Sequence, residues 1–317
     1  MYPQATAIGV DLGRFFINTA IVRYDGKVLI REKNPLPERL TRLNVIKTLT
    51  FSVNSIREKA AVERINPLAI GISAPGFIDH DHGIVLGPDH GVRGWKNVLL
   101  SSIISEKTGL PVYVGNDANL MTVAEHKFGA AKNYKHVIFI ALRTGIGGGI
   151  IIDGKLYRGV NNTGGEIGMM IIDKGETGDI MQGKGTLEEF ASGAALVKRY
   201  LQVKGKKQGG SVNLRAKDIF DLSASGDKAA ITVVSENARF VGIGLANLVS
   251  IFAPEIIVIG GGMALTGGSY ISEIKKHTFA NSLSYCSKGL KIELAKLGAD
   301  AAVIGSSWYA LNRFDGK

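Results

Sequence analysis

Three apolar segments of this 317-residue chain each run directly into a glycine-rich turn. The turns are Asp11-Leu-Gly13, Thr144 to Gly149 and Gly260 to Gly262. Because glycine tolerates positive φ and lets backbone N–H groups approach an anion, a strand followed by such a turn is a common phosphate cradle. The turns lack the Gly-Lys-Ser or Gly-Lys-Thr of a Walker A loop. The second turn is expected to open a hairpin, not the helix of a dinucleotide-binding motif.

The segments around the first two turns follow one pattern. Predicted strands at residues 5–11 and 17–24 precede Asp25-Gly26, and predicted strands at 137–142 and 149–152 precede Asp153-Gly154. Asp-Gly favours a type I′ hairpin turn, in which both central residues have positive φ. The repetition indicates two structurally similar lobes.

Elsewhere, apolar strands alternate with helical patterns. Strands are predicted at residues 68–73, 111–115 and 255–259, and helices at 98–108, 118–128, 187–203, 230–252 and 301–312. This alternation places the chain in the α/β class. We expect the last helix to pack back on the first lobe.

The composition is that of a globular protein with a core, because 45% of the residues are hydrophobic and 21% are charged. The sequence has no run of about 18 or more apolar residues and no N-terminal targeting pattern, so we expect a cytoplasmic protein that does not bind a membrane. The net charge of +10 favours anionic ligands, but its scatter gives no specific argument for nucleic acid. The single cysteine, Cys286, excludes an internal disulfide.

Motifs along nearly the whole chain resemble those of the ROK family (repressors, open reading frames, kinases). Ile8-Gly-Val-Asp-Leu-Gly13 and Leu142-Arg-Thr-Gly-Ile-Gly-Gly-Gly149 resemble the phosphate motifs of actin-like kinases, and Pro254-Glu-Ile-Ile-Val-Ile-Gly-Gly-Gly262 resembles their adenosine motif. The family's order and spacing also fit Gly71-Ile-Ser-Ala-Pro-Gly76, Gly94-Trp95-Lys-Asn97, Asn116-Asp117-Ala-Asn119, Glu125, Gly164-Gly-Glu166-Ile-Gly168 and Leu187-Glu188.

The resemblance implies an α/β fold of the actin-like, ribonuclease H-like ATPase type, with two lobes and an interdomain cleft. We expect a smaller N-terminal lobe at residues 1–122, completed by a C-terminal helix at 300–317, and a larger lobe at 123–299. Family members usually dimerise through the larger lobe, so a homodimer is expected.

The resemblance also assigns roles to individual residues. Asp117 is expected to be the general base that takes the proton of the sugar 6-hydroxyl. The expected sugar-binding residues are Asn116, Gly76, Glu166, Glu188 and Met169. Mg-ATP is expected at Asp11, Gly13, Arg14, Thr144, Gly145, Gly147, Gly261 and Gly262, with Asp11 holding the magnesium through water.

Three of these residues also have purely structural interpretations. An aspartate just before a helix is often its N-cap, which gives Asp117 an alternative role. Glu188 can be a first-turn charge that favours the helix dipole, and Asn116 can be a turn residue.

The chain departs from the family at both phosphate motifs. The first normally reads Asp-x-Gly-Gly-Thr, and Arg14 and Phe15 replace its second glycine and threonine. The second normally begins Leu-Gly-Thr-Gly, and Arg143 replaces its first glycine. The arginines either grip phosphate directly, since guanidinium suits bidentate phosphate contacts, or fill the nucleotide pocket.

The structural zinc of many family members is not expected here. Its histidine and three cysteines align with Met169, Asp179, Met181 and Thr186. In the family the missing histidine usually also contacts the sugar. Its replacement by Met169 therefore predicts a sugar that is less polar or differently substituted at the edge this residue contacts.

Three functions follow from the resemblance. The first is an ATP-dependent hexose kinase of the glucokinase type, acting on glucose or a related sugar. The alternative is a non-catalytic sugar-binding or regulatory protein with a degenerate nucleotide site, as Arg14, Phe15 and Arg143 would allow. A DNA-binding repressor is disfavoured, because the first strand begins within a few residues of Met1 and leaves no room for a helix-turn-helix domain.

Overall fold

The computed structural model describes residues 4–88, 91–173, 183–205, 214–266 and 268–315. The chain forms two compact units. The first comprises Met1–Asn133, Arg158–Gly164 and Lys296–Lys317, and the second Tyr134–Tyr157 and Gly165–Ala295. The expected boundary between residues 122 and 123 falls inside one helix of the first unit.

The strands of the described ranges are β1 (Thr6–Leu12), β2 (Phe16–Arg23), β3 (Val28–Pro35), β4 (Ile70–Ala74), β5 (Phe77–Asp79), β6 (Ile84–Gly87), β7 (Val112–Asn116), β8 (Val137–Leu142), β9 (Ile146–Ile152), β10 (Lys155–Tyr157), β11 (Ile256–Gly260) and β12 (Lys291–Leu294). The α-helices there are α1 (Arg42–Val62), α2 (Leu100–Thr108), α3 (Asp117–Phe128), α4 (Leu187–Ala191), α5 (Gly193–Val203), α6 (Ala216–Ala224), α7 (Lys228–Phe252), α8 (Gly268–Ala280) and α9 (Ala301–Asp315).

The first unit is built on a sheet with strand order β3-β2-β1-β4-β7. The hairpin strands β1, β2 and β3 are antiparallel, whereas β1, β4 and β7 are parallel. Successive side chains of β1 point to opposite faces. Ile8 and Val10 join one buried cluster with Leu49 of α1, and Ala7 joins another with Tyr309 of α9.

Glycines let α9 lie directly on this sheet. A Cβ atom on Gly9 of β1 would overlap the carbonyl oxygen of Val303, and one on Gly71 of β4 would overlap that of Ser306. The backbone of α9 therefore contacts the backbones of β1 and β4 without intervening side chains.

The second unit repeats the arrangement, with strand order β10-β9-β8-β11-β12. Here β8, β9 and β10 are antiparallel, and β8, β11 and β12 are parallel. The same order and directions therefore recur, as the repeated strand and turn pattern of the sequence predicted. This topology gives the α/β, actin-like fold.

Helix α7 is the described helix that is long and apolar enough to cross a membrane. However, 56% of its most apolar window is buried within the protein. Val241, Leu245 and Val249 lie in the core of the second unit with Ile257 of β11. A core helix explains its composition.

The two Asp-Gly turns differ. Asp153 and Gly154 have φ of 50° and 75°, as a type I′ turn requires. At the first hairpin Gly26 has a φ of 86° but Asp25 does not take a positive φ, so the predicted type I′ turn is wrong there. The Asp25 carboxylate instead accepts from the Lys27 N–H at 3.1 Å and pairs with Arg23, which favours a three-residue loop.

Candidate active site

The first glycine turn follows β1 and holds a buried carboxylate. Asp11 is 6% exposed, and its Oδ2 accepts a hydrogen bond from Asn18 Nδ2 at 3.1 Å. The two residues face each other in the β1–β2 register. The sequence analysis did not identify Asn18. Counting paired residues outward from the turn at residues 13–15, which joins β1 to β2, would have placed Asn18 opposite Asp11. Gly13 closes the turn, since its N–H donates to the Phe16 carbonyl at 3.1 Å.

Arg14 and Phe15 project from this turn. Phe15 is 67% exposed, and the Arg14 guanidinium lies 5.7 Å from the centre of its ring. Neither side chain is part of the core of the first unit. Both are therefore available to a ligand that approaches the turn.

The carboxyl ends of β4 and β7 bring Gly76, Asn116 and Asp117 together. Ala74 is opposite Asn116 in the parallel register, and Asn116 Nδ2 donates to the Gly76 carbonyl at 3.1 Å. Gly76 has a φ of 93°, which turns the chain sharply after β4. The sequence placed these residues in separate motifs, and the sheet makes them neighbours.

Asn116, not Asp117, is the N-cap of α3. Its Oδ1 accepts from the Asn119 N–H at 3.0 Å. Asp117 is the first helical residue and is half-buried, and its Oδ1 accepts from the Ala118 N–H at 2.9 Å. The N-cap interpretation of Asp117 is thus wrong, because Asn116 occupies that position, although the Asp117 carboxylate still accepts from one of the free N–H groups of the first turn.

The second glycine turn is shorter than predicted. Strand β9 begins at Ile146, and Gly147 pairs with Ala141 of β8, so the turn consists of residues 143–145. The predicted start of this strand at residue 149 was wrong. The side chain of Ile167 packs directly on the backbone of β9 at Gly148. A Cβ atom at this position would overlap Ile167, so glycine is required although the residue lies in a strand.

This turn is anchored on α5 by its carbonyl groups. The carbonyls of Arg143 and Thr144 accept from the N–H groups of Gly193 and Ala194 at 2.8 and 3.1 Å. These donors belong to the first turn of α5, whose N–H groups lack partners within the helix. The helix therefore fixes the position of the turn.

Glu188 lies against the same turn. Its Oε2 accepts from the Ile146 N–H at 2.6 Å, and a Cβ atom on Gly145 would lie 2.6 Å from that oxygen. Glu188 also lies in the first turn of α4, which is the position predicted for a charge that favours the helix dipole. The contact with the predicted phosphate turn was not foreseen, because nothing in the spacing of residues 145 and 188 reveals it.

The third turn lies next to the second. Gly260 pairs with Ala141 in the parallel register of β11 and β8, so both strands end at one edge of the sheet. Gly261 has a φ of 91°, and a Cβ atom there would overlap the Leu142 carbonyl. A Cβ atom on Gly262 would meet no atom within 4 Å. The predicted nucleotide residues of the second unit thus share an edge with open space beside Gly262.

Glu166 directly precedes a short 3₁₀ helix of the second unit, Ile167–Met169, and Met169 is the last residue of that helix. Glu166 is exposed and its carbonyl accepts from the Met169 N–H at 3.0 Å. Thr186, at another position aligned with a zinc ligand, is the buried N-cap of α4 and accepts from the Glu189 N–H at 3.2 Å. Asp179 and Met181 lie outside the described residues.

Comparison with known proteins extends these observations. The model of the ROK family matches residues 7–313. The chain is 32% identical to a glucokinase of Halalkalibacterium halodurans, over 95% of this chain and 93% of that protein. It is 29% identical to the xylose repressor of Bacillus subtilis, over 97% of this chain and 77% of the repressor.

Among solved structures, a ROK family glucokinase from Streptomyces griseus in complex with glucose and AMPPNP superposes with a TM-score of 0.83. It is 29% identical, and the match covers 97% of this chain and all of that one.

Proposed function

The chain belongs to the ROK family, and on that premise we propose that it is an ATP-dependent hexose kinase that phosphorylates the 6-hydroxyl of glucose or a related sugar. The observation that carries the proposal is the Gly76, Asn116 and Asp117 group. It presents a half-buried carboxylate at the carboxyl ends of the parallel strands β4 and β7, where α/β proteins bind ligands.

Asp117 is the general base in this proposal. Its carboxylate takes the proton from the sugar hydroxyl as that oxygen bonds to the terminal phosphorus of ATP, and the bond from this phosphorus to the bridging oxygen breaks to release ADP. Asn116 is already fixed by its hydrogen bonds to Gly76 and Asn119, so its amide can hold a sugar hydroxyl without losing further conformational freedom. Glu166, Glu188 and Met169 complete the proposed sugar contacts.

The turns of the second unit suit a nucleotide. Gly261 lies so close to the backbone of Leu142 that a side chain would not fit at this position. The space beside Gly262 is open. Thr144, Gly145 and Gly147 lie at the same edge of the sheet. We propose that backbone N–H groups here and at Gly13 hold the phosphates, with Arg14 adding a charge-assisted contact.

Asp11 fits a magnesium ion that keeps most of its water. Its buried carboxylate is oriented by Asn18 and offers a single negative group, which is the usual protein contribution to Mg²⁺ bound with nucleotide phosphates. When bound, the ion neutralises charge that develops on the phosphates.

A panel assay tests this function. Purified protein with Mg-ATP is incubated with hexoses and N-acetylhexosamines, ADP release is measured, and the product is examined by ³¹P and ¹³C NMR. We expect sugar-dependent ADP release and phosphate on the 6-oxygen. If no sugar in the panel supports release, the kinase proposal fails.

The alternative is a sugar-binding regulatory protein without catalysis. It is favoured by Arg14 and Phe15 at the first phosphate motif and by the similarity to the xylose repressor. Calorimetry with Mg-ATP separates the two, because tight nucleotide binding counts against the alternative. If the protein binds sugar but not Mg-ATP, the double variant Arg14→Gly, Phe15→Thr is expected to restore nucleotide binding.

A further inference from the structure

The peptide groups of the turn between β8 and β9 point in directions that its contacts determine. The carbonyls of Arg143 and Thr144 accept from the first turn of α5, and the Gly145 carbonyl accepts from the Arg143 N–H at 2.9 Å. These peptide bonds are trans, so each N–H points away from the carbonyl of the preceding residue. The N–H groups of Thr144 and Gly145 therefore point away from α5, and within the described ranges neither has an acceptor. They are two adjacent donors for a phosphate group.

The next N–H group, that of Ile146, is held by Glu188. Glu188 Oε2 accepts from it at 2.6 Å, and Ile146 is only 6% exposed, so this N–H cannot turn to water instead. A Cβ atom on Gly145 would lie 2.6 Å from the same oxygen, so the carboxylate lies directly against the backbone of the turn. Glu188 thus fixes the end of the turn whose start is fixed by α5.

The backbone of Glu188 is itself held in place. Leu187 is fully buried and packs on α7, where a Cβ atom on Gly244 would lie 2.8 Å from its Cδ2 atom. The Glu188 carbonyl accepts from the Ser192 N–H at 3.1 Å, and Ser192 is the N-cap of α5. The carboxylate therefore reaches Ile146 from a fixed position, next to the helix that holds the carbonyls of the turn.

The second carboxylate oxygen of Glu188 remains available. Within the described part of the chain, Oε2 receives the hydrogen bond from Ile146 and Oε1 receives none. Glu188 is half-buried, so a ligand can reach Oε1. The proposed contact with a sugar hydroxyl can use this oxygen while Oε2 stays on the turn.

We propose that Glu188 is a positioning residue for the phosphate turn, in addition to its proposed contact with the sugar. Its hydrogen bond to Ile146 keeps the N–H groups of Thr144 and Gly145 directed at the nucleotide phosphates. The inference rests on the proposed kinase function, because it takes this turn as a phosphate site. It predicts that Glu188 affects nucleotide binding when no sugar is present, which a residue that contacts the sugar alone would not do.

Two variants separate the hydrogen bond from the charge. A carboxylate close to a phosphate also repels it, and Glu188→Gln and Glu188→Ala both remove that repulsion. Glutamine keeps an oxygen that can accept from the Ile146 N–H, whereas alanine does not. Calorimetry without sugar measures the Kd for Mg-AMPPNP. We expect Glu188→Ala to bind about three- to tenfold more weakly than Glu188→Gln, which is the effect of one hydrogen bond.

Glu189 supplies the matched control on the same helix. Its Oε2 also accepts from a backbone N–H, that of Gly185 at 2.7 Å, which lies outside the phosphate turn. Glu189→Gln and Glu189→Ala should therefore bind Mg-AMPPNP equally well. If Glu188→Ala does not fold, Glu188→Asp replaces it, because aspartate keeps the charge but is one methylene too short, and it should bind more weakly than wild type. An equal Kd for Glu188→Gln and Glu188→Ala, or tighter binding by the alanine variant, would overturn the proposal.

Hydrogen exchange without any ligand distinguishes a failure of this inference from a failure of the kinase function. The Ile146 N–H should exchange about tenfold faster in Glu188→Ala than in Glu188→Gln, because opening of the turn costs less free energy without the acceptor. Equal exchange rates would contradict the positioning role even if the protein is an active kinase. If wild type binds no nucleotide, the kinase proposal and the phosphate role of the turn both fail, and faster exchange then shows only that Glu188 holds the turn.

Discussion

At the residue scale, a buried carboxylate ties distant parts of the first unit together. Glu125 of α3 is fully buried, and its carboxylate accepts from the N–H groups of Ala130, Lys296 and Leu297 at 2.8, 3.2 and 2.8 Å. The last two donors lie where the chain re-enters this unit. The motif pattern included Glu125 but assigned it no role, and its contacts indicate a structural one.

We predict that Glu125→Ala lowers the free energy of unfolding by about 3 kcal/mol, because buried N–H groups lose a charged acceptor. Urea unfolding followed by circular dichroism measures the change. Glu58→Ala, at an exposed position of α1, should change stability by less than about 0.5 kcal/mol. Equal stabilities of the two variants would contradict the role of Glu125.

Arg14 makes a second prediction at this scale. It is exposed and contacts Phe15, so Arg14→Ala should leave Tm unchanged. If Arg14 grips phosphate, the substitution should raise the KM for Mg-ATP about tenfold, the effect of losing roughly 1.4 kcal/mol of binding. Arg39→Ala, at another exposed arginine of the first unit, should leave that KM unchanged. A fall in KM would show that Arg14 blocks the nucleotide instead.

At the scale of elements, the first unit depends on the direct contact of α9 with β1 and β4. Gly9 and Gly71 have no room for a side chain, since a Cβ atom would overlap carbonyl oxygens of α9. The helix must therefore shift if either glycine is replaced.

Gly9→Ala is expected to destabilise the protein by about 2 kcal/mol or more, because overpacking forces backbone movement. Thermal and urea unfolding measure the loss. Gly268→Ala is the control, since a Cβ atom there meets nothing within 4 Å and alanine favours the helix α8. Equal stabilities of the two variants would contradict the claim that the first unit depends on the close contact of α9 with β1.

The sequence predicted most of the strands and helices that carry the site, because their apolar runs end in glycine. It missed α1, where Phe51 is 61% exposed and Ser52 is fully buried, so the usual apolar periodicity is broken. Ser52 tolerates burial because its hydroxyl donates to the Thr48 carbonyl at 2.9 Å. Gly148 was assigned to a turn, since its packing against Ile167 is a tertiary contact that local sequence does not show.

The resemblance named residues of the candidate site, but it did not give their contacts. Asp11, Asn116 and Glu188 were named in this way, and their roles stay predictions. The resemblance did not reveal that Asn18 orients Asp11 or that Glu188 accepts from the Ile146 N–H. Such contacts depend on strand register and on packing between elements far apart in the chain.

At the scale of the whole molecule, one sheet topology occurs twice. In each unit an antiparallel hairpin is followed by parallel strands whose carboxyl ends carry the predicted functional residues. In the first unit these are Asp11, Asn116 and Asp117, and in the second the turns at Gly145 and Gly261. The duplicated topology thus explains why the glycine turns recur along the sequence.

The most direct test of the central claim compares Asp117→Asn with wild type, using the sugar that gives the fastest ADP release. The amide keeps the size of the side chain but cannot take the proton, so kcat should fall by about 10²–10⁴-fold while calorimetry shows an unchanged sugar Kd. Asp221→Asn, at an exposed carboxylate that pairs with Lys217, should keep full activity. A variant Asp117→Asn with wild-type kcat would contradict the assignment of Asp117 as the base and, with it, the proposed mechanism.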